Sequence, residues 1–215
     1  MLTYKCKLII PTETEKILWL HANKLNWLQN YFLAQRIENY KVGIKTSWID
    51  QNNQLLSLKI QEPILKQIHS QVVQQTAKRL DKSYKNFFRR LKLSGKKGFP
   101  KFRSCHDFYG ITYPQSGYKI RGNRFITKQY GLLEFINHHE IQGKIKIVTI
   151  TCKNNQFYLH ITTDYELPKN ITKIKEIGID LGLKNIVVGS DGLMIENKNH
   201  AKYFDKEIAK LQQRQ

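Results

Sequence analysis

IKIVTITCKNNQFYLHITT, residues 145–163, is the stretch that says most about the architecture of this chain. β-Branched and aromatic residues dominate both sides of Asn154-Asn155, a pair that suits the tight turn of a β-hairpin. Many short strands at this spacing predict a small β-barrel or a strongly curved sheet. Similar runs, separated by glycine or asparagine turns, lie upstream at 108–113, 117–120, 124–127 and 132–136.

The N-terminal part predicts a strand followed by a long helix. Residues 3–10 alternate and then turn apolar, and Pro11 ends them, as is typical of a strand. From Thr12 to about Tyr40 the apolar residues recur at spacings of three and four, which indicates a helix.

A second long helix is predicted to open at Pro63 and to end before Ser94-Gly95, since proline suits a first turn and glycine suits a helix end. Residues 41–62 show no clear period and receive no assignment. Two such helices are expected to form an antiparallel pair. Helices in the first half and strands in the second give an α+β fold class.

The charge balance indicates the kind of partner. Lys and Arg number 36 against 17 Asp and Glu, a formal net charge of +19. Such a field attracts polyanions, and nucleic acids are bound in large part through their phosphates. An anionic membrane surface is the alternative partner. We expect a protein of the cytoplasm, because the chain has no long apolar run and no secretion signal at its start.

Positive charge is densest in the second half of the second helix and in the loop after it. Asp81 is the one acid in this stretch, and Phe87 and Phe88 are expected to turn toward the core. Several of the cations fall three and four residues apart, so they would line one helix face. We interpret this face as a backbone-binding surface rather than as an ordinary solvated face. The predicted nucleic-acid-binding residues are Lys78, Arg79, Lys82, Lys85, Arg89, Arg90, Lys92, Lys96, Lys97, Lys101 and Arg103.

A second informative stretch is IGIDLGLKNIV, residues 177–187, which places Asp180 at the end of an apolar strand and just before a glycine. A carboxylate in this position can begin a metal-dependent phosphoryl-transfer site. A strand at 185–189, a turn at 190–192, a third strand and a helix from Tyr203 are predicted to come next. This order suits the opening of a ribonuclease H-like sheet.

Three pieces of sequence, in order along nearly the whole chain, resemble the transposon-associated TnpB (OrfB) family of insertion sequences. They are GFPKFR at 98–103, the run 132–150 ending in GKIKIVTI, and GIDLG at 178–182. The resemblance implies an RNA-guided DNA endonuclease of a prokaryotic transposable element, related to the compact type V CRISPR effectors. DNA and a guide-like RNA would be its partners.

The resemblance also implies a domain plan. A wedge-like β-barrel would be interrupted by a helical recognition domain and followed, after a linker, by the first strands and helix of an incomplete RuvC-like nuclease domain. Asp180 would be the first catalytic carboxylate and a ligand of Mg²⁺. The implied ranges are 1–11 plus 102–167 for the wedge, 12–101 for the helical domain, 168–174 for the linker and 175–215 for the nuclease domain.

The chain departs from the family pattern downstream of Asp180. The family supplies a Glu and a second Asp much later, with a zinc ribbon of paired cysteines between them. Here Asp191 is expected to be a turn residue beside Gly192. The cysteines at 6, 105 and 152 form no CxxC pair and are expected to be buried or half-buried thiols. A single carboxylate would hold Mg²⁺ weakly, and two-metal cleavage needs several.

We therefore expect a truncated, nuclease-inactive relative that binds nucleic acid, holds Mg²⁺ unstably and has no zinc site. The alternative is an active metal-dependent DNA endonuclease, completed by residues or by a polypeptide outside this chain.

Other interpretations are weaker. The Ile-Asp-Leu-Gly motif also resembles the first phosphate loop of the actin and heat-shock ATPase superfamily, where a hydroxyl residue usually comes next; here the next residues are Leu183-Lys184. Asp180 could also simply cap local backbone at a strand end. His138 and His139 could be read as metal ligands, but neighbouring side chains in a strand point to opposite faces and do not easily converge on one ion, so a surface or half-buried pair is expected. Trp19 and Trp27 are expected to pack rather than to stack on bases.

Overall fold

The structure is a computed structural model that describes residues 1–93, 98–166, 176–198 and 200–212. The chain divides into two compact units, Met1–Leu167 and Pro168–Gln215. The elements of the first unit are β1 (Leu2–Ile9), α1 (Thr12–Lys41), α2 (Trp48–Asn53), α3 (Leu55–Gln61), α4 (Ile64–Gln67), α5 (Ser70–Lys92), β2 (Ile111–Tyr113), β3 (Tyr118–Arg121), β4 (Arg124–Thr127), β5 (Gly131–Ile136), β6 (Ile145–Lys153) and β7 (Gln156–Thr163).

The strands of the first unit form a seven-stranded sheet in the order β2-β6-β7-β1-β5-β4-β3. Every neighbouring pair is antiparallel. The β6–β7 hairpin turns at Asn154 and Asn155, whose φ angles of 51° and 55° are those that a tight hairpin turn requires. The strands predicted from the alternation are confirmed, with small shifts at their ends.

The sheet curls until its two edge strands approach each other. Tyr113 of β2 lies with its ring centroid 5.9 Å from that of Tyr118 of β3 and 6.0 Å from that of Phe125 of β4. Val148 and Ile161 are among the buried side chains of the intervening strands. The predicted small barrel is therefore confirmed as a nearly closed antiparallel sheet, and the α+β class with it.

The helices α1–α5 lie in sequence between β1 and β2 and share one apolar core with the sheet. α1 buries Leu25, Leu28 and Phe32 completely, and this confirms the predicted first helix. A hydrogen bond of 2.8 Å between His21 Nδ1 and the Tyr130 hydroxyl joins α1 to the barrel. Burial lowers the pKa of His21, so the imidazole is neutral at pH 7. None of the described helices combines the length and the apolar character needed to cross a membrane.

The predicted continuous second helix is wrong, because the chain is extended at Ile68 (φ −84°, ψ 139°) and separates α4 from α5. Ile68 is buried there, and His69 packs its ring 5.8 Å from that of Tyr113 on the barrel. Packing against the barrel thus overrides the helical periodicity.

Residues 41–62, for which the sequence predicts no element, contain α2 and α3. A capping box opens α2, in which the Ser47 side chain accepts the Asp50 N–H and the Asp50 carboxylate accepts the Ser47 N–H.

The two long helical segments run in the same direction. Ion pairs join Lys24 to Glu62 and Arg36 to Asp81, so the earlier residue of α1 meets the earlier residue of the second segment, and the later meets the later. An antiparallel pair would show the opposite order, so the prediction of an antiparallel pair is wrong.

The cysteines follow the prediction in two cases of three. Cys6 is buried and Cys152 is half-buried. Cys105 is exposed, contrary to expectation, because it lies in a surface turn at residues 104–107.

The second unit contains β8 (Ile179–Asp180), β9 (Asn185–Gly189), β10 (Met194–Glu196) and α6 (His200–Gln212). Its three strands are antiparallel in the order β10-β9-β8, with Asp180 opposite Val188. The strand, hairpin and helix order predicted for this region is present. The RuvC-like assignment stays a prediction.

Candidate nucleic-acid interface

Five cations on α5 form a continuous exposed line, here called the basic ridge: Lys78, Lys82, Lys85, Arg89 and Lys92. Their spacings of four, three, four and three residues place them on one face of the helix. The opposite face buries Val72, Val73 and Leu80 in the core. The amphipathic pattern of α5 thus fixes which way the cations point.

Asp81, the one acid within the ridge sequence, is turned inward. Its carboxylate lies 3.3 Å from Arg36 Nη1 and 2.9 Å from Lys85 Nζ. The Arg36 side chain is only 8% exposed, and its Nε also donates to Gln51 Oε1 over 3.0 Å. Since Arg36 from α1 neutralises this carboxylate, Asp81 offsets little of the positive charge of the basic ridge.

The predicted binding residues fall into two groups. Lys82, Arg89, Lys92 and Lys101 are exposed, and within the described ranges they make no ion pair or side-chain hydrogen bond. Lys78 is also exposed, with its Nζ 4.9 Å from the centre of the Trp48 ring. Lys96 and Lys97 lie outside the described residues.

The arginines Arg79, Arg90 and Arg103 make contacts within the fold, although Arg79 is also exposed. Arg79 Nη1 donates to the Gly110 carbonyl over 2.7 Å, and Arg90 Nη2 donates to the Gly98 carbonyl over 2.9 Å. Arg103 Nε donates to Asn26 Oδ1 over 2.8 Å. The guanidinium carbons of Arg79 and Arg103 lie 4.5 and 5.1 Å from the centre of the Tyr109 ring. These contacts fasten the segment before β2 to the helices.

Two asparagines of α1, which the sequence analysis missed, complete this attachment. Asn30 is bonded twice to the Arg103 backbone, donating to its carbonyl over 2.9 Å and accepting its N–H over 2.8 Å. Asn26 donates to the carbonyls of Ser104 and Asp107. The sequence did contain a signal for Asn26, because this polar residue lies between Leu25 and Trp27 in the apolar pattern of α1. The structure shows that it is buried, and a buried amide needs hydrogen-bond partners.

Replacing Arg103 by alanine should therefore affect stability more than binding. We expect a loss of about 1–2 kcal/mol in unfolding free energy, since a buried hydrogen-bond acceptor on Asn26 loses its charged donor. The salt dependence of nucleic-acid affinity should be unchanged. Urea unfolding and a salt titration of DNA binding would check both, and a shallower salt slope would show that Arg103 contacts phosphate.

Phe88 differs from the prediction. Phe87 is half-buried, but Phe88 is 52% exposed and does not turn to the core. The reason is helical geometry: consecutive residues lie about 100° apart, so both rings cannot occupy one face.

Asp180 is exposed on β8. The expectation for Asp191 is met, because its Oδ1 accepts the Leu193 N–H in the turn before β10. Within the described part of the chain, no three His, Cys, Asp or Glu side chains are grouped closely enough to hold a metal ion. A metal site is therefore not formed around Asp180 by the described residues.

The remaining candidates are dispersed. His138 and His139 are exposed, as expected for a surface pair. Trp19 packs edge-on against Phe108, with ring centroids 5.2 Å apart, as predicted. Trp27 is less buried than predicted, since it stacks on Tyr31 at the surface, with Lys24 Nζ 3.9 Å from its ring centre.

The fold and the surface charge define a class of protein: a nearly closed β-barrel whose inserted helices present a positively charged face. The chain is similar to a protein of Escherichia coli (strain K12) named "Putative RNA-guided DNA endonuclease InsQ", with 27% identity over 201 residues, covering 89% of this chain. The match covers 48% of InsQ, so the chain spans about half the length of this relative. No protein-family model matches the chain. The similarity to InsQ confirms the resemblance to the TnpB/OrfB family.

Proposed function

We propose that this chain is a nucleic-acid-binding protein of a transposable element, which holds the phosphate backbone on the basic ridge. The observation that supports the proposal most is that five exposed cations lie on one face of α5, while Asp81, the acid among them in the sequence, is paired with Arg36. A helix face of this kind can neutralise backbone phosphates without reading the bases.

The domain plan is part of the proposal. Residues 1–11 with 102–167 would act as the wedge-like barrel, 12–101 as the helical recognition domain and 175–215 as a partial RuvC-like domain. The insertion of all of α1–α5 between β1 and β2 supports the first two assignments. The predicted linker at 168–174 lies outside the described residues.

DNA and a guide-like RNA are the proposed partners, on the support of the name of InsQ and of the net charge of +19. A salt titration tests this proposal. If the five cations of the basic ridge and the neighbouring Lys101 each contact a phosphate, log K against log salt should fall with a slope of roughly −4 to −5.5. An affinity that stays flat as salt rises would contradict a phosphate-dominated surface.

We further propose that the 215 residues bind nucleic acid without cutting it. Asp180 would be one member of a metal site whose other carboxylates lie elsewhere. The active-endonuclease alternative has support of its own, because Ile179, Leu181 and Leu183 of the second unit are strongly exposed. Exposed apolar side chains in a small unit are typical of a surface that packs against further protein.

A cleavage assay with Asp180→Asn separates these possibilities. With Mg²⁺ and co-purified RNA, we expect the unaltered chain and the variant to leave DNA intact and to bind it equally, because one carboxylate cannot assemble a two-metal site. Asp191→Asn, which removes an acid from the neighbouring turn, is the matched control. Cutting that requires Asp180 but not Asp191 would contradict the binding-only proposal and favour the alternative.

A further inference from the structure

Four aromatic side chains form a cluster beside the basic ridge, here called the aromatic platform: Tyr84, Phe87, Phe88 and Phe99. The Phe87 ring centroid lies 5.2 Å from that of Phe88 and 5.3 Å from that of Phe99. Tyr84 lies 5.6 Å from Phe99 and 6.3 Å from Phe88. Phe88 is 52% exposed and Phe99 45%, so the platform presents ring surface to solvent.

The platform is held in place by its surroundings. Phe99 meets Tyr84 and Phe87 nearly perpendicularly, at 88° and 84°, which is a favourable edge-to-face arrangement. The hydrogen bond from Arg90 to the Gly98 carbonyl fastens the backbone next to Phe99 to α5. Arg36 lies 5.2 Å from the centre of the Tyr84 ring. Burial raises the pKa of Tyr84, so its phenol stays neutral.

The sequence that carries the platform is rich in cations, and the nearest acid before it, Asp81, is paired with Arg36. Residues 82–103 include no Asp or Glu. Arg89 and Lys92 of the basic ridge, together with Lys101, are exposed within a few residues of Phe88 and Phe99. A second copy of this chain would bring like charges together, which disfavours self-association on this face. The surface is complementary to a polyanion that also carries flat apolar groups.

We propose that the aromatic platform stacks unpaired bases of a single-stranded nucleic acid whose phosphates lie along the basic ridge. Single-strand binders combine a cationic track with aromatic rings in this way, and duplex DNA does not offer its base faces. The proposal rests on the proposed nucleic-acid function and adds to it a preference for unpaired segments.

A pair of oligonucleotides tests base stacking separately from phosphate binding. One is a thymidine oligonucleotide of about 15 residues and the other an abasic chain of the same length, with equal phosphate charge. We expect the protein to bind the thymidine strand about tenfold or more tightly. In a Phe88→Ala, Phe99→Ala double variant this ratio should fall to about one, whereas Phe88→Tyr should retain it.

Two controls keep the outcomes distinct. Leu132→Ala removes a similarly exposed apolar side chain from the barrel and should retain the ratio. Lys82→Ser with Lys92→Ser should weaken both strands equally. Thermal unfolding of each variant confirms that it is folded.

The outcomes overturn different statements. Equal, salt-dependent binding of the two strands by the unaltered protein would overturn the stacking proposal and leave the proposed function intact. Absence of binding to either strand would overturn both. Binding to anionic phosphatidylserine vesicles that depends on Phe88 and Phe99, without a thymidine preference, would overturn the proposal in favour of a membrane surface.

Discussion

Replacing Lys82, Arg89, Lys92 and Lys101 with serine is expected to remove most of the salt dependence of nucleic-acid binding. Each lost phosphate contact takes about 0.9 from the slope of log K against log salt for duplex DNA, so four contacts take about 3.6. Raising the salt from about 50 to about 200 mM should then weaken binding by the unaltered protein about a hundredfold more than binding by the variant. Fluorescence anisotropy of a labelled duplex measures both curves.

These four residues are suitable because replacing their side chains is expected to leave the fold intact. They are exposed, and they make no ion pair or side-chain hydrogen bond with the rest of the described chain. The matched control replaces four exposed lysines of the barrel region, Lys119, Lys128, Lys144 and Lys153, and so removes the same net charge. An equal change in the two variants would contradict a localised site, because net charge alone would then explain the binding.

The second large effect is expected for Asp81→Ala, which should lower the unfolding free energy by about 3 kcal/mol. The Arg36 side chain is 8% exposed, and the Asp81 side chain 17%. Without the carboxylate, Arg36 would keep its charge in a desolvated position with Gln51 as a neutral partner, and leaving a buried charge uncompensated is costly. Urea denaturation followed by far-UV circular dichroism measures the change.

Lys85→Ala is the matched control for Asp81→Ala. Lys85 also pairs with Asp81, but its side chain is 75% exposed, so the pair is screened and its loss should cost less than about 1 kcal/mol. Replacing both partners, Arg36→Met with Asp81→Leu, should recover most of the stability, because no unpaired charge remains. A loss below about 1 kcal/mol for Asp81→Ala would contradict the role assigned to this pair.

Much of the fold could be predicted because its signals are local. Alternation gave β4, β6 and β7 nearly to the residue, and helical spacing gave α1. The break before α5 could not be predicted from period alone, because Ile68 continues the helical pattern. Its extended conformation depends on packing with the barrel, which is distant in sequence.

Only part of the candidate site could be predicted from the sequence, because contacts between distant segments decide which cations remain exposed. Charge density found the basic ridge, but it could not separate Lys82, which is exposed, from Arg103, which is bonded to Asn26. The planar guanidinium donates several directed hydrogen bonds and stacks on rings, so arginines in a basic stretch are well suited to join segments of the fold. A lysine has no such geometry and is more readily left to bind a phosphate.

Photochemical crosslinking most directly tests the central claim that nucleic acid lies on α5 and on the segment immediately after it. The purified protein would be irradiated with a bound oligonucleotide, and the adducts would be mapped by mass spectrometry. We predict adducts within residues 78–103, at the basic ridge and the aromatic platform, and their loss at high salt. Adducts confined to the barrel strands or to residues 176–212 would contradict the claim.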